Sequence, residues 1–259
     1  DLSLEAFMDI QKRLLLEQID LLGRSEMGKA ILGGTVPSTV EEFREVVPLT
    51  VYEDYCPYLS ERREDVLPRK PMWWLRTSGR SGPDFKWVPY SEEAAKKSGE
   101  CAMTAIIFAS CTRRGEFVFE EGDTMLYALA PFPYMSGAMA RGFDREFNFT
   151  FLPPLDQAES MEFQERIQEG FRMALRSGLD AFNGVASVLV KIGEQFTEGA
   201  GGLQLSTFLL DPRVLGRLVR GLIRSRLDGR NYLLPRDLWT VKCLGTGSTD
   251  TALFRAQIE

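Results

Sequence analysis

The stretch Thr77-Ser78-Gly79-Arg80-Ser81-Gly82-Pro83-Asp84-Phe85-Lys86 restricts the fold of this chain more than any other. Two glycines followed by a proline interrupt regular structure, so a loop must fall here. Ahead of it, the apolar run Pro71-Met72-Trp73-Trp74-Leu75-Arg76 suits a buried strand. The loop then lies at that strand's C-terminal end, where ligands of open α/β sheets bind. Behind it, Ser91 with Glu92 and Glu93 forms a helix start, and the helix continues through Ala102, Thr104, Ile106 and Phe108 as a buried element.

The loop's chemistry suits a polyphosphate. Successive backbone N–H groups in such a turn make a concave nest for anions. Thr77, Ser78 and Ser81 add neutral donors, and Lys86 adds a mobile positive charge. The same residues also suit an ordinary surface loop. The common phosphate loop of NTPases is excluded, because it needs Lys directly after the second glycine and a hydroxyl behind it. Here Lys86 lies four residues past Gly82 and is followed by Trp87.

Composition narrows the chemistry further. There is no histidine among the 259 residues, which excludes Ser-His-Asp and Cys-His machinery and any histidine-ligated metal. Carboxylates, lysine, arginine, hydroxyls and backbone dipoles remain, and phosphate chemistry needs no more. No metal ligands and no catalytic residues stand out. A net charge of −6 argues against nucleic acid as a partner. The longest apolar runs, near Ala105–Ala109 and Val185–Val190, fall far short of the ~20 residues of a membrane span. Cys56, Cys101, Cys111 and Cys243 form no Cys-x-x-Cys pair, so a reducing cytoplasm fits.

Along the chain, residues 2–22 carry apolar groups at helical spacing. Ser38/Glu41 and Thr39/Glu42 are alternative capping boxes for a helix through Val46. Tyr52, Tyr55 and Tyr58 read as packing residues. Thr124–Ala130 and Phe147–Leu152 predict strands, and Glu159–Arg176 an amphipathic helix with Phe163, Ile167, Phe171 and Leu175 in the core. Asp211-Pro212 starts another helix, on which Arg213, Arg217, Arg220 and Arg224 form a stripe expected to be a solvated face. Trp239–Leu244 predicts a last strand, Gly245-Thr246-Gly247-Ser248 a turn, and Thr249 onward a helix.

Thr-Ser-Gly-x-Ser-Gly followed closely by Lys resembles the phosphate loop of the adenylate-forming superfamily. That group includes acyl-CoA synthetases, phenylacetate–CoA ligases, luciferases and the plant auxin–amino acid conjugating enzymes. Upstream, Val47-Pro48-Leu49-Thr50-Val51-Tyr52-Glu53-Asp54-Tyr55 is similar to the segment before that loop in the conjugating branch. Downstream, Trp239–Ser248 is similar to the strand and turn that meet the adenine. These blocks span residues 47–248 in the superfamily's order.

The resemblance implies an α/β fold of layered sheets with flanking helices, with residues 1–259 forming an incomplete N-terminal domain whose C-terminal part is missing. It implies ATP and Mg2+, and activation of a carboxylic acid to an acyl-adenylate. The acyl group then passes to CoA or, in the alternative, to an amine to form an amide. Thr77, Ser78, Gly79, Arg80, Ser81, Gly82 and Lys86 would hold phosphates, and Gly245, Thr246 and Gly247 would meet the adenine. Tyr134, Met135 and Ser136, in a stretch that also reads as a Pro-Gly turn, would border the acyl pocket, as would Gly184. Arg80 stands where the superfamily has a small hydroxyl residue, and Lys86 comes one position late. The aromatic-Gly-x-Thr-Glu motif, the ribose-binding Asp and the catalytic Lys would follow Glu259, so this stretch alone is not expected to turn over. A non-enzymatic nucleotide- or partner-binding module is the reading from a different class.

Overall fold

Ser3 opens the first helix. Its Oγ accepts the Ala6 amide at 3.1 Å, and α1 runs Leu4–Gly23. Burial falls on its C-terminal half at Ile19, whereas Leu4, Phe7, Met8 and Leu14 stand exposed. The computed structural model describes residues 2–77, 85–197, 211–246 and 251–258, and the chain divides into two units, Asp1–Ala95 and Lys96–Glu259.

In the first unit, α1 is followed by α2 (Glu26–Ile31), α3 (Val40–Val46) and α4 (Cys56–Leu59). Of the two overlapping capping boxes, Thr39 is the cap of α3, accepting the Glu42 amide at 3.0 Å. The Glu42 carboxylate accepts in turn from the Ser38 amide and hydroxyl at 2.7 and 2.9 Å. Met27, Leu59 and Val66 form a small core on which Tyr52, Tyr55, Tyr58 and Trp74 pack.

Strands β1 (Trp73–Arg76) and β2 (Trp87–Tyr90) pair antiparallel, Trp73 opposite Tyr90 and Arg76 opposite Trp87. This corrects the expectation of a single strand ending at the loop of an open sheet: the glycine stretch connects the two arms of a hairpin. Pro89 is compatible with β2 because a two-stranded ribbon has edges without ladder partners. Ser91 caps α5 (Glu92–Ser110) as expected, accepting the Ala94 amide at 3.1 Å. Its burial is one-sided. Ala95, Ala102, Met103 and Ile106 are buried, but Phe108 is 75% exposed.

The second unit is a three-layer α/β arrangement. After β3 (Thr124–Ala128) come α6 (Met135–Glu146), β4 (Thr150–Leu152), α7 (Leu155–Ala158) and α8 (Phe163–Ser177). Then follow β5 (Ala181–Gly184), α9 (Ala186–Thr197), α10 (Pro212–Leu227), α11 (Pro235–Leu238), β6 (Cys243–Thr246) and α12 (Arg255–Ile258). The four strands are parallel in the order β4-β3-β5-β6. Every residue of β3 is buried, as a central strand covered on both faces requires.

Strand alternation divides the core. Leu126, Ala128 and Phe182 face one way, onto Phe171 and Leu175 of α8, Leu218 of α10 and Trp239. Met125, Tyr127, Ala181 and Cys243 face the other, onto Met103 and Ile106 of α5 and Phe143 of α6. The predicted helix over 159–176 begins later, at Phe163, because α7 and a turn occupy the preceding residues; its Phe163 is exposed while Ile167, Phe171 and Leu175 are buried.

The strands are fastened together where they begin. The Lys242 ammonium donates to both Asp123 carboxylate oxygens at 2.8 and 2.7 Å. The Asp180 carboxylate accepts from the Thr124 amide and hydroxyl at 2.9 and 2.8 Å. The Lys242 amide donates to Asp180 O at 2.6 Å, and the Thr150 amide to Asp123 O at 2.9 Å.

Asp211 caps α10 as predicted, accepting the Arg213 amide at 2.9 Å. The arginine stripe is not uniformly solvated. Half-buried Arg217 donates through Nε to Leu175 O at 3.0 Å and through Nη1 to Leu238 O at 3.3 Å, closing carbonyls at the ends of α8 and α11. Burial, with Arg220 nearby, pulls its pKa below the usual guanidinium range. Arg217→Glu should therefore cost about 1.5–3 kcal/mol in equilibrium unfolding, whereas exposed Arg220→Glu should stay within about 0.5 kcal/mol. Equal, small effects would show the two positions to be equivalent.

Candidate functional site

Two groups of candidate residues emerge, one in each unit. The first is the hairpin of β1 and β2. Thr77 and Lys86 close its tip, with the Thr77 amide donating to Lys86 O at 3.0 Å. Three cations lie on aromatic rings of this hairpin and its surroundings. Lys86 Nζ is 5.1 Å from the Tyr52 ring centroid, the Arg76 guanidinium 4.1 Å from that of Phe85, and the Arg62 guanidinium 4.9 Å from that of Trp87. Arg62 occupies the left-handed region at φ 54°, unusual for a residue with a side chain. Among the described residues Lys86 forms no ion pair with a carboxylate. Ser78, Gly79, Arg80, Ser81 and Gly82 lie outside the described residues, as does Gly247.

Tyr52 was not legible as a site residue. Its hydroxyl accepts the Trp87 amide at 2.7 Å and donates to Trp87 O at 3.0 Å, 35 residues away in sequence. Only the Tyr-rich segment before the loop hinted at it.

The second group lies along the C-terminal edge of the parallel sheet. The first connection leaves β3 towards β4 on one side, while the chain beyond β5 returns to β6 on the other. The carboxyl ends of β3 and β5 are thus the sheet's topological switch point, where ligands of open α/β sheets bind. Register places Ala128, Gly184 and Thr246 in one row across it, with Tyr127, Asn183 and Gly245 in the row behind. Gly245 and Thr246 are therefore the last residues of β6 rather than a turn, and the predicted strand over 239–244 shifts forward, because Trp239 is committed to the core: its Nε1 donates to Ala174 O at 2.9 Å.

Packing accounts for Gly184. A Cβ there would stand 2.7 Å from both Ala128 Cβ and Phe182 Cζ. At Gly245 a Cβ would meet the Asn183 amide group at 3.2 Å, so the half-exposed Asn183 lies directly against this glycine. Asn183 escaped notice because Asn-Gly at a strand end carries the same signal as any turn.

The loop leaving β3 carries half-buried Tyr134, Met135 and Ser136 into α6. Ser136 is held from both sides. Its hydroxyl donates to Ala130 O at 2.8 Å, and its carbonyl accepts from Tyr127 at 2.5 Å. Burial pushes the Tyr127 phenol well above its usual range, so it serves as a neutral donor. Beside this loop is a cavity of about 20 Å3, room for roughly one water, lined by Tyr127, Leu129, Phe132, Gly137, Arg141 and Arg166 among others. Tyr134, Met135 and Ser136 do not line it. Arg166, 2% exposed, braces the loop by donating to Leu129 O at 2.6 Å.

Residues 2–133, about half of the chain, match the GH3 family N-terminal domain. The chain belongs to the GH3 family. No curated protein matches it in sequence. Among solved structures, that of the AtGH3.15 acyl acid amido synthetase in complex with 2,4-DB is similar, with a TM-score of 0.62 at 14% identity. The likeness covers 97% of this chain and 50% of that one, so the chain spans about half the length of this relative. The mixed α/β fold expected from the sequence, with a sheet flanked by helices, is borne out. The emphasis on CoA as acyl acceptor finds no support in these comparisons; the similar protein of known structure is an acyl acid amido synthetase.

Among the described residues no helix is long and apolar enough to cross a membrane, and no three His, Cys, Asp or Glu side chains cluster as metal ligands.

Proposed function

We propose that this chain is the nucleotide-binding part of an ATP-dependent ligase that joins a carboxylic acid to an amino acid. Membership of the GH3 family and the cation-rich hairpin around Lys86 support this reading. In the first step a carboxylate oxygen of the acid attacks the α-phosphorus of ATP. The bond to the β-phosphate oxygen breaks, giving acyl-adenylate and pyrophosphate. In the second, the amino group attacks the acyl carbon, AMP leaves with the bonding electrons, and the nitrogen loses a proton. An amine acceptor replaces CoA here, since the similar solved structure is that of an acyl acid amido synthetase.

The residues divide as follows. Lys86, with Thr77 and the glycine stretch Ser78–Gly82 including Arg80, would hold the β- and γ-phosphates; a lysine that pairs with no carboxylate among the described residues, next to a glycine-rich stretch, suits that load. Gly245, Thr246 and Gly247 would receive the adenine, with Asn183 beside Gly245 able to hydrogen-bond a base edge. Tyr134, Met135, Ser136 and Gly184 would border the acid. Mg2+ would come with the phosphates that Lys86 and Thr77 hold and would supply charge neutralisation there. A cytoplasmic setting belongs to the same reading.

In the full-length protein, Lys86→Ala should weaken ATP use about tenfold to a hundredfold, as loss of a charge-assisted contact implies. The parallel assay follows pyrophosphate release with a panel of carboxylic acids, with amino acids or CoA as acceptor. Amide product and no thioester is the expected outcome. Unchanged ATP affinity in Lys86→Ala would leave the hairpin a mere turn and remove the main support for the function.

A further inference from the structure

Tyr52 stands where two requirements of the hairpin meet. The segment Tyr52–Tyr55 is a single 3-10 turn, closed by the Val51 amide donating to the Asp54 carboxylate at 2.8 Å. Tyr55 is pinned by a 2.6 Å hydrogen bond with the Thr50 hydroxyl. The Tyr52 ring packs on the core of Met27, Leu59 and Val66, so it is fixed from behind. From this anchored base its hydroxyl engages both main-chain groups of Trp87, at 2.7 and 3.0 Å, and the Lys86 ammonium lies over its ring at 5.1 Å.

A strand residue in a two-stranded ribbon has one edge without ladder partners. At Trp87 that edge is occupied by a phenol acting as donor and acceptor at once. The clamp sits one residue beyond Lys86, at the hinge between β2 and the loop. Backbone freedom at that hinge would let the lysine swing, whereas the clamp together with a ring beneath the ammonium confines it to one region.

We propose that Tyr52 is a positioning residue for the nucleotide, holding Lys86 at the place where polyphosphate binds. This rests on the reading of the hairpin as the phosphate site. Tyr52 itself touches no phosphate in this scheme; it acts through Lys86.

The test uses the full-length protein with Mg-ATP. Tyr52→Phe keeps the ring and removes the clamp. It should raise KM for ATP about five- to tenfold, the loss of one hydrogen bond's worth of positioning, while kcat stays within about twofold. In a Lys86→Ala background the same substitution should add less than about twofold, because the effect passes through the lysine. A lowered melting temperature with unchanged KM would mean a purely structural tyrosine and overturn the proposal. Full additivity with Lys86→Ala would also overturn it. If Lys86→Ala alone leaves KM for ATP unchanged, the phosphate reading has failed first, and that result is distinct from the other two. A readout on the unaltered protein guards against a misfolded variant. Hydrogen exchange at the Trp87 amide should slow about fivefold or more with Mg-ATP or Mg-pyrophosphate and not with AMP. No slowing with either would count against Tyr52 regardless of the variants.

Discussion

Asp237→Ala should remove about 3 kcal/mol of folding stability, measured by denaturant unfolding of the purified chain. The Asp237 side chain is fully out of solvent and holds Arg230 through two parallel bonds of 2.7 and 2.8 Å. It also accepts the Leu234 amide at 2.8 Å, capping α11. Deleting one partner of a buried pair costs about 3–5 kcal/mol because the other charge is left uncompensated. The low end applies, since Arg230 remains 12% exposed and keeps Asp228 at 2.8 Å. The hydrogen bonds from Arg230 hold the Asp237 carboxyl below the usual carboxylate range. A depressed folded value means that the contribution is present above about pH 4, the unfolded value, and is lost as pH falls through the folded one. The gap between wild type and Asp237→Asn should accordingly narrow in acid. A gap that widens below pH 4 would contradict this assignment.

Gly137→Ala should be as damaging, by a different route. A Cβ at Gly137 would stand 2.0 Å from Phe132 N and 2.2 Å from the Pro131 carbonyl carbon, both backbone atoms. No rotamer relieves such a contact, so α6 must move away from the loop that leaves β3. Overpacking of this kind costs about 3 kcal/mol or more, a fall of roughly 6–12 °C in the midpoint for a unit of this size. The displaced loop carries Tyr134, Met135 and Ser136, so on the proposed function the full-length variant should also lose affinity for the carboxylic acid while ATP binding through Lys86 changes little. A normal melting temperature would show that the chain absorbs the methyl group elsewhere.

Local signals in the sequence travelled well. Asp211-Pro212, Ser91 and the Thr39/Glu42 pair each specify a helix start through atoms within a few residues, and each appears as expected. What depends on distant partners did not. Trp73–Arg76 was legible as a strand, but its partner was hidden because Pro89 argues against β structure unless the strand has a free edge. Arg217 looked like its exposed neighbours on the helical wheel; only the ends of α8 and α11, far off in sequence, make it structural. The roles of Tyr52 and Asn183 depend on register and on a contact 35 residues away, neither of which periodicity encodes.

The ties among Lys242, Asp123, Thr124 and Asp180 settle strand register at the edge where the strands begin. Register is therefore decided away from the candidate site, at the far end of the same strands. Point substitutions among the described residues of the rim, Gly137 and Gly184 excepted, need not cost the sheet its alignment. A laboratory library of such substitutions should return mostly folded proteins, the property a lineage needs if it is to vary what it binds.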